Sequence, residues 1–326
     1  MNNGTRDTAV VPNAKQGLTH PVAPDVVRFA LPIVNVYFIG APGAGDRNWV
    51  LVDAGLPGFA NQIAKAVAER FGPGARPAAI VMTHGHFDHT GVLRELAERW
   101  DVPVYAHPLE LPYLTGRSPY PPADPGVGGG AMALFSWMYP RGPIDVGERA
   151  RSLPANGSVP HLPGWQAIHT PGHSPGHVSL WREADRTLVA GDAFVTTKQE
   201  SAVAAFTKPQ VVHGPPMYYT PDWEAAHRSV NTLAALHPAV AATGHGVPMY
   251  GTEMNEALTA LAHDFDNRAV PDHGRYVDQA AITDERGIVS VPPPKNPLAR
   301  PLVTFVAAAL AGAAVAVMQR RKQHTT

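Results

Sequence analysis

Thr83-His84-Gly85-His86-Phe87-Asp88-His89-Thr90-Gly91 concentrates three histidines and one carboxylate within six residues, directly after the apolar run Ala78-Ala79-Ile80-Val81-Met82. Imidazole and carboxylate are the usual nitrogen and oxygen ligands of zinc and similar borderline metals. The spacing carries geometry as well. His84 and His86 are two apart, so at a strand end they point to one side, whereas on a helix they would diverge by roughly 200°. Asp88 and His89 are adjacent, and a loop turning into a helix can aim both inward. One short segment can therefore supply two ligands to each of two neighbouring metals. Without partners it would be only a histidine-rich turn, but ligand-type residues recur at three later places. Thr170-Pro171-Gly172-His173, Ala190-Gly191-Asp192 and Thr243-Gly244-His245-Gly246 each carry one at the end of an expected strand. The glycine beside it permits a tight turn and close approach. In layered α/β folds, strand ends are where sites are built.

The elements that must position these residues follow from periodicity. Residues 1–24 are polar, lack the apolar core of a signal peptide and read as a loose tail. Val26–Ile39 and Trp49–Val52 read as strands joined by the turn-rich Gly40–Asn48, and Phe59–Phe71 has helical spacing ended by Gly72-Pro73-Gly74. A strand over 78–82, a helix over about Val92–Trp100 and a strand over Val102–Ala106 come next. Later strands are expected at Trp165–His169, Val178–Trp181, Thr187–Ala190 and Ala239–Ala242. One later helix is expected from Pro221 to about Leu236 with Thr220 as N-cap, and another over Glu253–Asn267. This alternation is an α/β pattern. Between residues 108 and 150, repeated proline and glycine break any long element around the apolar Met132–Tyr139. A long loop with one short helix fits, either as a lid over the site or as an inert excursion.

With 44% hydrophobic and 16% charged residues, the 326-residue chain is globular. Lys+Arg at 26 against Asp+Glu at 27 leaves a net charge of -1, and no basic run in the body of the chain marks a nucleic-acid partner. A small-molecule substrate is expected instead. Cysteine is absent, which excludes disulfides, a thiolate nucleophile and cysteine-type zinc sites. Leu302–Met318 carries no charge and is flanked by Arg300 and Arg320-Arg321-Lys322. As a helix it would reach about 25 Å, the short limit for a hydrocarbon core of about 30 Å. A membrane-inserted tail and a helix packed on the body are the two readings. The domain plan is a tail over 1–24, a catalytic domain over 25–270, a proline-rich extension over 271–300 and an apolar helix over 301–326. In the absence of an N-terminal signal the catalytic body is expected in the cytoplasm, held at a membrane if the tail inserts.

His84-Gly85-His86-Phe87-Asp88-His89 resembles the HxHxDH signature of the metallo-β-lactamase superfamily. Asp53 after a strand, His173 in its TPGH turn, Asp192 in its GD pair and His245 in its GHG turn fit the other four motifs of that family, in the same order. The resemblance spans about residues 25–265. It implies a four-layer αβ/βα sandwich with the site at one edge of two facing sheets. It also implies that His84, His86 and His173 hold one metal, that Asp88, His89 and His245 hold a second, and that Asp192 bridges them. Two divalent ions are expected, zinc by default, with manganese or iron accepted by the same nitrogen and oxygen donors. Together they would make a bridging hydroxide available near neutral pH. Asp88 is in addition a candidate proton shuttle. Asp53 is expected to orient a ligand histidine or to serve the strand end. His169 and His177, four residues either side of His173, are expected to be structural or to support ligands.

Tyr218 and Tyr219, with His213 nearby, are candidates for substrate binding or oxyanion stabilisation, with loop packing as the alternative. Arg275 is a candidate partner for a substrate carboxylate. The implied activity is hydrolysis of a small ester, thioester or lactone, in the manner of glyoxalase-II-like and lactonase-like members. A phosphodiesterase on the same scaffold and a mononuclear iron sulfur dioxygenase-like oxidoreductase are the alternatives. A shared metal site does not convey a shared substrate, and nothing in the sequence marks a β-lactam pocket.

Overall fold

Neighbouring residues along each strand bury into different layers, as a period of two requires. The computed structural model describes residues 18–295. Seven strands form the first sheet, in spatial order: β1 (Thr19–Ala23), β2 (Val26–Ala30), β3 (Asn35–Ile39), β4 (Val50–Val52), β5 (Ala79–Val81), β6 (Val104–Ala106) and β7 (Ala150–Ser152). β1 to β4 pair antiparallel, and β4 to β7 pair parallel. The second sheet holds β8 (Trp165–His169), β9 (Val178–Arg182), β10 (Thr187–Gly191), β11 (Val240–Thr243) and β12 (Met249–Tyr250), in the order β12-β11-β10-β9-β8. A hairpin of β13 (Ile282–Asp284) and β14 (Gly287–Ser290) stands apart.

The helices are α1 (Ala60–Phe71), α2 (Phe87–Thr90), α3 (Leu93–Trp100), α4 (Leu111–Leu114), α5 (Ala131–Leu134), α6 (Ala202–Thr207), α7 (Trp223–Ala235), α8 (Gly251–His263) and α9 (Phe265–Arg268). Phe38, Leu51 and Ile80 pack with Ile63 and Val67 of α1 and Leu93 and Leu96 of α3. Their strand neighbours Tyr37, Val52 and Val81 pack instead with Leu180, Val189 and Ala242 of the second sheet. On the far face of that sheet, Leu188 and Ala241 bury with Val230 of α7 and Leu258 of α8. Each fully buried Leu, Ile or Phe contributes roughly 1.5–3 kcal/mol of transfer free energy. Helices, sheet, sheet and helices thus form the four-layer αβ/βα sandwich that the resemblance implies.

Several expectations are corrected. Thr19–Ala23, placed above in the tail, pairs with β2 as an edge strand, where Pro21 is tolerated because its missing N–H breaks no inner ladder. The single run over Val26–Ile39 is two strands. Leu31 N donates to Val34 O at 3.0 Å, closing a turn around Pro32. The N-cap of α7 is Asp222, whose carboxylate accepts from Ala225 N at 2.9 Å, while Thr220 Oγ1 donates to Pro216 O. The helix expected over Glu253–Asn267 breaks at Asp264.

The 108–150 segment holds two short α-helices, α4 and α5, together with 3-10 turns, and runs directly into β7. Its Ala123, Val127 and Ala133 bury against Tyr218 and Tyr219. The 271–295 region packs onto the same segment: Tyr276 Oη donates to Pro122 O at 2.6 Å, and Ile288 N donates to Ser118 Oγ at 3.2 Å. Among the described residues no helix is long and apolar enough to cross a membrane. The apolar stretch 302–318 lies outside the described residues.

Candidate metal centre

The site forms where β4, β5, β10 and β11 end. Val178 N donates to Thr83 O at 2.9 Å, joining the two sheets beside it. Asp53, just past β4, adopts the left-handed backbone conformation (φ 62°) that aspartate tolerates better than most residues. Its Oδ1 accepts from Thr83 N and its Oδ2 from Thr83 Oγ1, both at 2.8 Å. The same Oδ2 faces His89 Nδ1 at 2.8 Å.

His84, His86, Asp88, His89, His173, Asp192 and His245 are all buried and converge. Their donor atoms fall into three groups that could each hold an ion: His84, His86 and His173; His84, His89 and Asp192; and Asp88, His89 and His245. His86 Nδ1 lies 2.9 Å from His173 Nε2. Asp192 Oδ2 lies 2.9 Å from His245 Nε2, 3.4 Å from His173 Nε2 and 3.5 Å from His89 Nε2. It therefore touches members of both outer groups. Asp88 Oδ2 is 3.6 Å from His245 Nε2.

The hydrogen bonds settle which ring nitrogens face inward. A carboxylate and a carbonyl can only accept, so His89 donates from Nδ1 to Asp53, and His245 donates from Nδ1 to Ile33 O. Thr83 Oγ1 already donates to Asp53, so it accepts from His84 Nδ1 at 3.1 Å. Nε2 of each ring then points into the centre and offers its lone pair when the ring is neutral, while a protonated His245 Nε2 donates to Asp192 Oδ2 at 2.9 Å. His84 Nε2, His89 Nε2 and Asp192 Oδ1 are buried with no hydrogen-bond partner. Buried polar atoms without partners are costly, and bound cations satisfy such atoms. The donor set fits metal ions.

The electrostatics agree. Burial, reinforced by neighbouring imidazoles, pushes His84 and His173 well below the usual histidine range and His86 to about 3, so all three rings are neutral. Burial acts in the same sense on His89 and His245, but Asp192 outweighs it and holds both above the ordinary value. Positive charge is thus favoured between Asp192 and these rings. Close approach also dictates sequence: a Cβ on Gly244 would lie 2.0 Å from Asp192 Oδ1.

A family model described as the metallo-beta-lactamase superfamily matches residues 31–245, which contain this entire constellation. The chain belongs to the metallo-β-lactamase superfamily. Within it, the probable metallo-hydrolase YflN of Bacillus subtilis (strain 168) is 45% identical over 251 residues, 77% of this chain and 95% of that one. A hydroxyacylglutathione hydrolase of Xanthomonas euvesicatoria pv. vesicatoria (strain 85-10) is 29% identical over 163 residues, 50% of this chain and 48% of that one. Among solved structures, a beta-lactamase domain protein from Burkholderia ambifaria matches with a TM-score of 0.54 at 20% identity, over 78% of this chain and 79% of that one. That last likeness is one of fold.

The residues around this superfamily centre divide clearly. His177 Nε2 accepts from Asp192 N at 2.9 Å, and its Nδ1 faces Thr170 Oγ1 at 2.8 Å, so the ring props the Asp192 backbone. His169 turns outward, stacks on His107 with ring centroids 4.0 Å apart, and bonds Pro175 O. Tyr219 stacks on the His86 ring at 4.4 Å, and its hydroxyl is buried without a partner. Tyr218 and Tyr219 both bury with Ala123, Val127 and Ala133, which is the packing alternative, and only Tyr219 also stacks on a ligand ring. His213 pairs through its backbone with Val195 and stands outside the three ligand groups. Arg275 is tied through its backbone to Asp124, and its guanidinium lies over the Tyr276 ring rather than among the ligands. Glu110 is a functional candidate without a motif, a lone acid between prolines. It is fully buried beside the Gly85 amide, and burial pushes it up to about 7 against its hydrogen bonds from Tyr120, Ser174, Gly176 and Gly85.

Asp53→Asn keeps size and tolerates the left-handed backbone, but it can present an amide N–H to His89 and so disturb the tautomer. It is expected to weaken metal binding about ten- to a hundredfold, measured by competition with a chelating dye. Unchanged affinity would show that Asp53 serves only the strand end.

Proposed function

We propose that this metal-dependent hydrolase carries one divalent ion on His84, His86 and His173 and a second on Asp88, His89 and His245. Asp192 is shared between them, and the substrate is a small ester, thioester or lactone. The reading rests on one observation: buried donor atoms from separate strand ends converge in groups of metal-binding size, and those on His84, His89 and Asp192 have no hydrogen-bond partner. When bound, the ions supply Lewis-acid polarisation of a carbonyl and a water that loses its proton near neutral pH.

The chain's own residues do the rest. Asp53, Thr83 and the Ile33 carbonyl hold His89, His84 and His245 in the tautomer that offers Nε2. Asp88 Oδ2, beside His245, is placed to receive a proton and return it to the leaving group. Tyr219 Oη donates to the carbonyl oxygen as charge develops there. A narrow crevice over His86 and His173 is walled by Tyr120, Tyr219 and Tyr276 with intervening prolines. A net charge of -1 with no basic run in the body of the chain favours a neutral acyl group over a phosphodiester. The hydroxyacylglutathione hydrolase among the relatives supports the thioester member of the set.

Elemental analysis is expected to give two metals per chain, with zinc the expected ion. A panel of thioesters, lactones, β-lactams and bis-p-nitrophenyl phosphate should then show turnover first on thioesters or lactones. A single iron with dioxygen consumption would overturn the hydrolytic reading. Tyr219→Phe should lower kcat by about 10²-fold with KM little changed. Wild-type kcat in that variant would remove Tyr219 from the chemistry.

A further inference from the structure

Glu110 ends a 3-10 turn, Pro108–Glu110, that follows β6. Its buried carboxylate collects four donors from three separate segments. Oε1 accepts from Ser174 Oγ and from Gly176 N, both at 2.8 Å. Oε2 accepts from Gly85 N at 3.0 Å and from the Tyr120 hydroxyl. Gly85 is the residue between His84 and His86, and Ser174 directly follows His173. One carboxylate therefore ties together the two chain segments that carry the three histidines of one ligand group.

The local sequence is cut to this clamp. A Cβ on Gly85 would lie 2.7 Å from Tyr120 Oη, and a Cβ on Gly176 would lie 2.8 Å from Glu110 N. Tyr120 is itself held by stacking on Tyr113 at 3.9 Å, and its ring centroid is 4.5 Å from that of His86. Two of the four donors are backbone N–H groups, which can only donate, and a carboxylate is the side chain that accepts from all four together. The Glu110 carboxylate makes no hydrogen bond to the other ligand group, Asp88, His89 and His245.

We infer that Glu110 is a positioning residue for the metal on His84, His86 and His173, setting the gap between the His84–His86 segment and the His173 turn. The inference rests on the dinuclear reading above, because it concerns one of the two proposed ion sites.

The test is a zinc titration of metal-free, full-length protein against a chelating dye, which resolves the two binding steps. His86→Ala and His245→Ala identify which step belongs to which group. Glu110→Gln replaces one accepting oxygen by an amide that opposes two of the donors. It should weaken the step sensitive to His86→Ala by about ten- to a hundredfold and leave the other within about twofold. Tyr120→Phe, which removes a single donor, should weaken the same step to a smaller degree. The visible absorption of the cobalt(II)-loaded Glu110→Gln protein should shift with it, a signature that loss of packing alone would not produce. Two steps indistinguishable from wild type would overturn the assignment. So would an equal loss at both steps together with a lowered melting temperature of the metal-free variant. A wild-type chain showing one step overturns the dinuclear reading instead, and Glu110→Gln is then compared with His86→Ala on that step.

Discussion

Asp192→Ala is expected to lose turnover by about 10³-fold or more, and metal content with it, because several kcal/mol of charge stabilisation depend on this residue. The geometry explains the size of the effect. Asp192 Oδ2 lies within 3.5 Å of nitrogen atoms on His89, His173 and His245, so one oxygen serves both proposed ion sites. Burial by itself would raise this carboxyl, yet His245 and His89 hold it well below the usual carboxylate range. It is therefore a buried negative charge between the two proposed ion sites. Removing it leaves buried imidazoles around a gap, and metal content should fall well below two per chain. Asp192→Asn preserves volume beside Gly244 and His177 and separates lost charge from lost packing. Elemental analysis and kcat/KM decide the outcome. Turnover within about tenfold of wild type in Asp192→Ala would reject the shared role.

His245→Ala should be more selective. It removes one of the three donors in the group with Asp88 and His89, while His84, His86 and His173 remain complete. Metal content should fall from two towards one, with kcat/KM lower by about 10²-fold. The imidazole must be neutral to bind a cation, and Asp192 draws protons onto His245 and His89. Occupancy of this group should therefore weaken as pH falls, because protons and metal compete for the same nitrogen atoms. The His84, His86 and His173 group, whose rings are pushed down by burial, should hold its ion to lower pH. Two metals retained in His245→Ala, or simultaneous release of both ions from wild type on acidification, would reject this division.

Much of the architecture was legible in residue order. The apolar, β-rich runs Val26–Ile39 and Trp49–Val52 announced strands, and Ile63, Val67 and Phe71 announced the covering helix α1. Edge elements were not legible. β1 holds a single fully buried apolar side chain, Val22, and carries Pro21, so no periodic signal separates it from the preceding tail. The N-cap of α7 was displaced by two residues because Thr220, Pro221 and Asp222 are all acceptable starts. Only the bond from Ala225 N to Asp222 chooses between them.

In the site, residue type and short-range spacing determined by themselves which atoms are able to bind metal: His84, His86, Asp88 and His89 within one turn, then His173, Asp192 and His245 beside glycine. Tertiary structure alone decided what surrounds them. It put Tyr218 and Tyr219 in one apolar cluster and stacked only Tyr219 on His86. It turned His177 under Asp192 and His169 out towards His107. It also brought Glu110 to Gly85 and Gly176, 25 and 66 residues away in the chain. The physical reason is that ligand capacity belongs to a side chain's own donor atoms, whereas orientation belongs to whatever lies about 3 Å from them. At the edge of two facing sheets those neighbours come from segments distant in the chain, and several are backbone N–H and C=O groups, which every residue type carries alike.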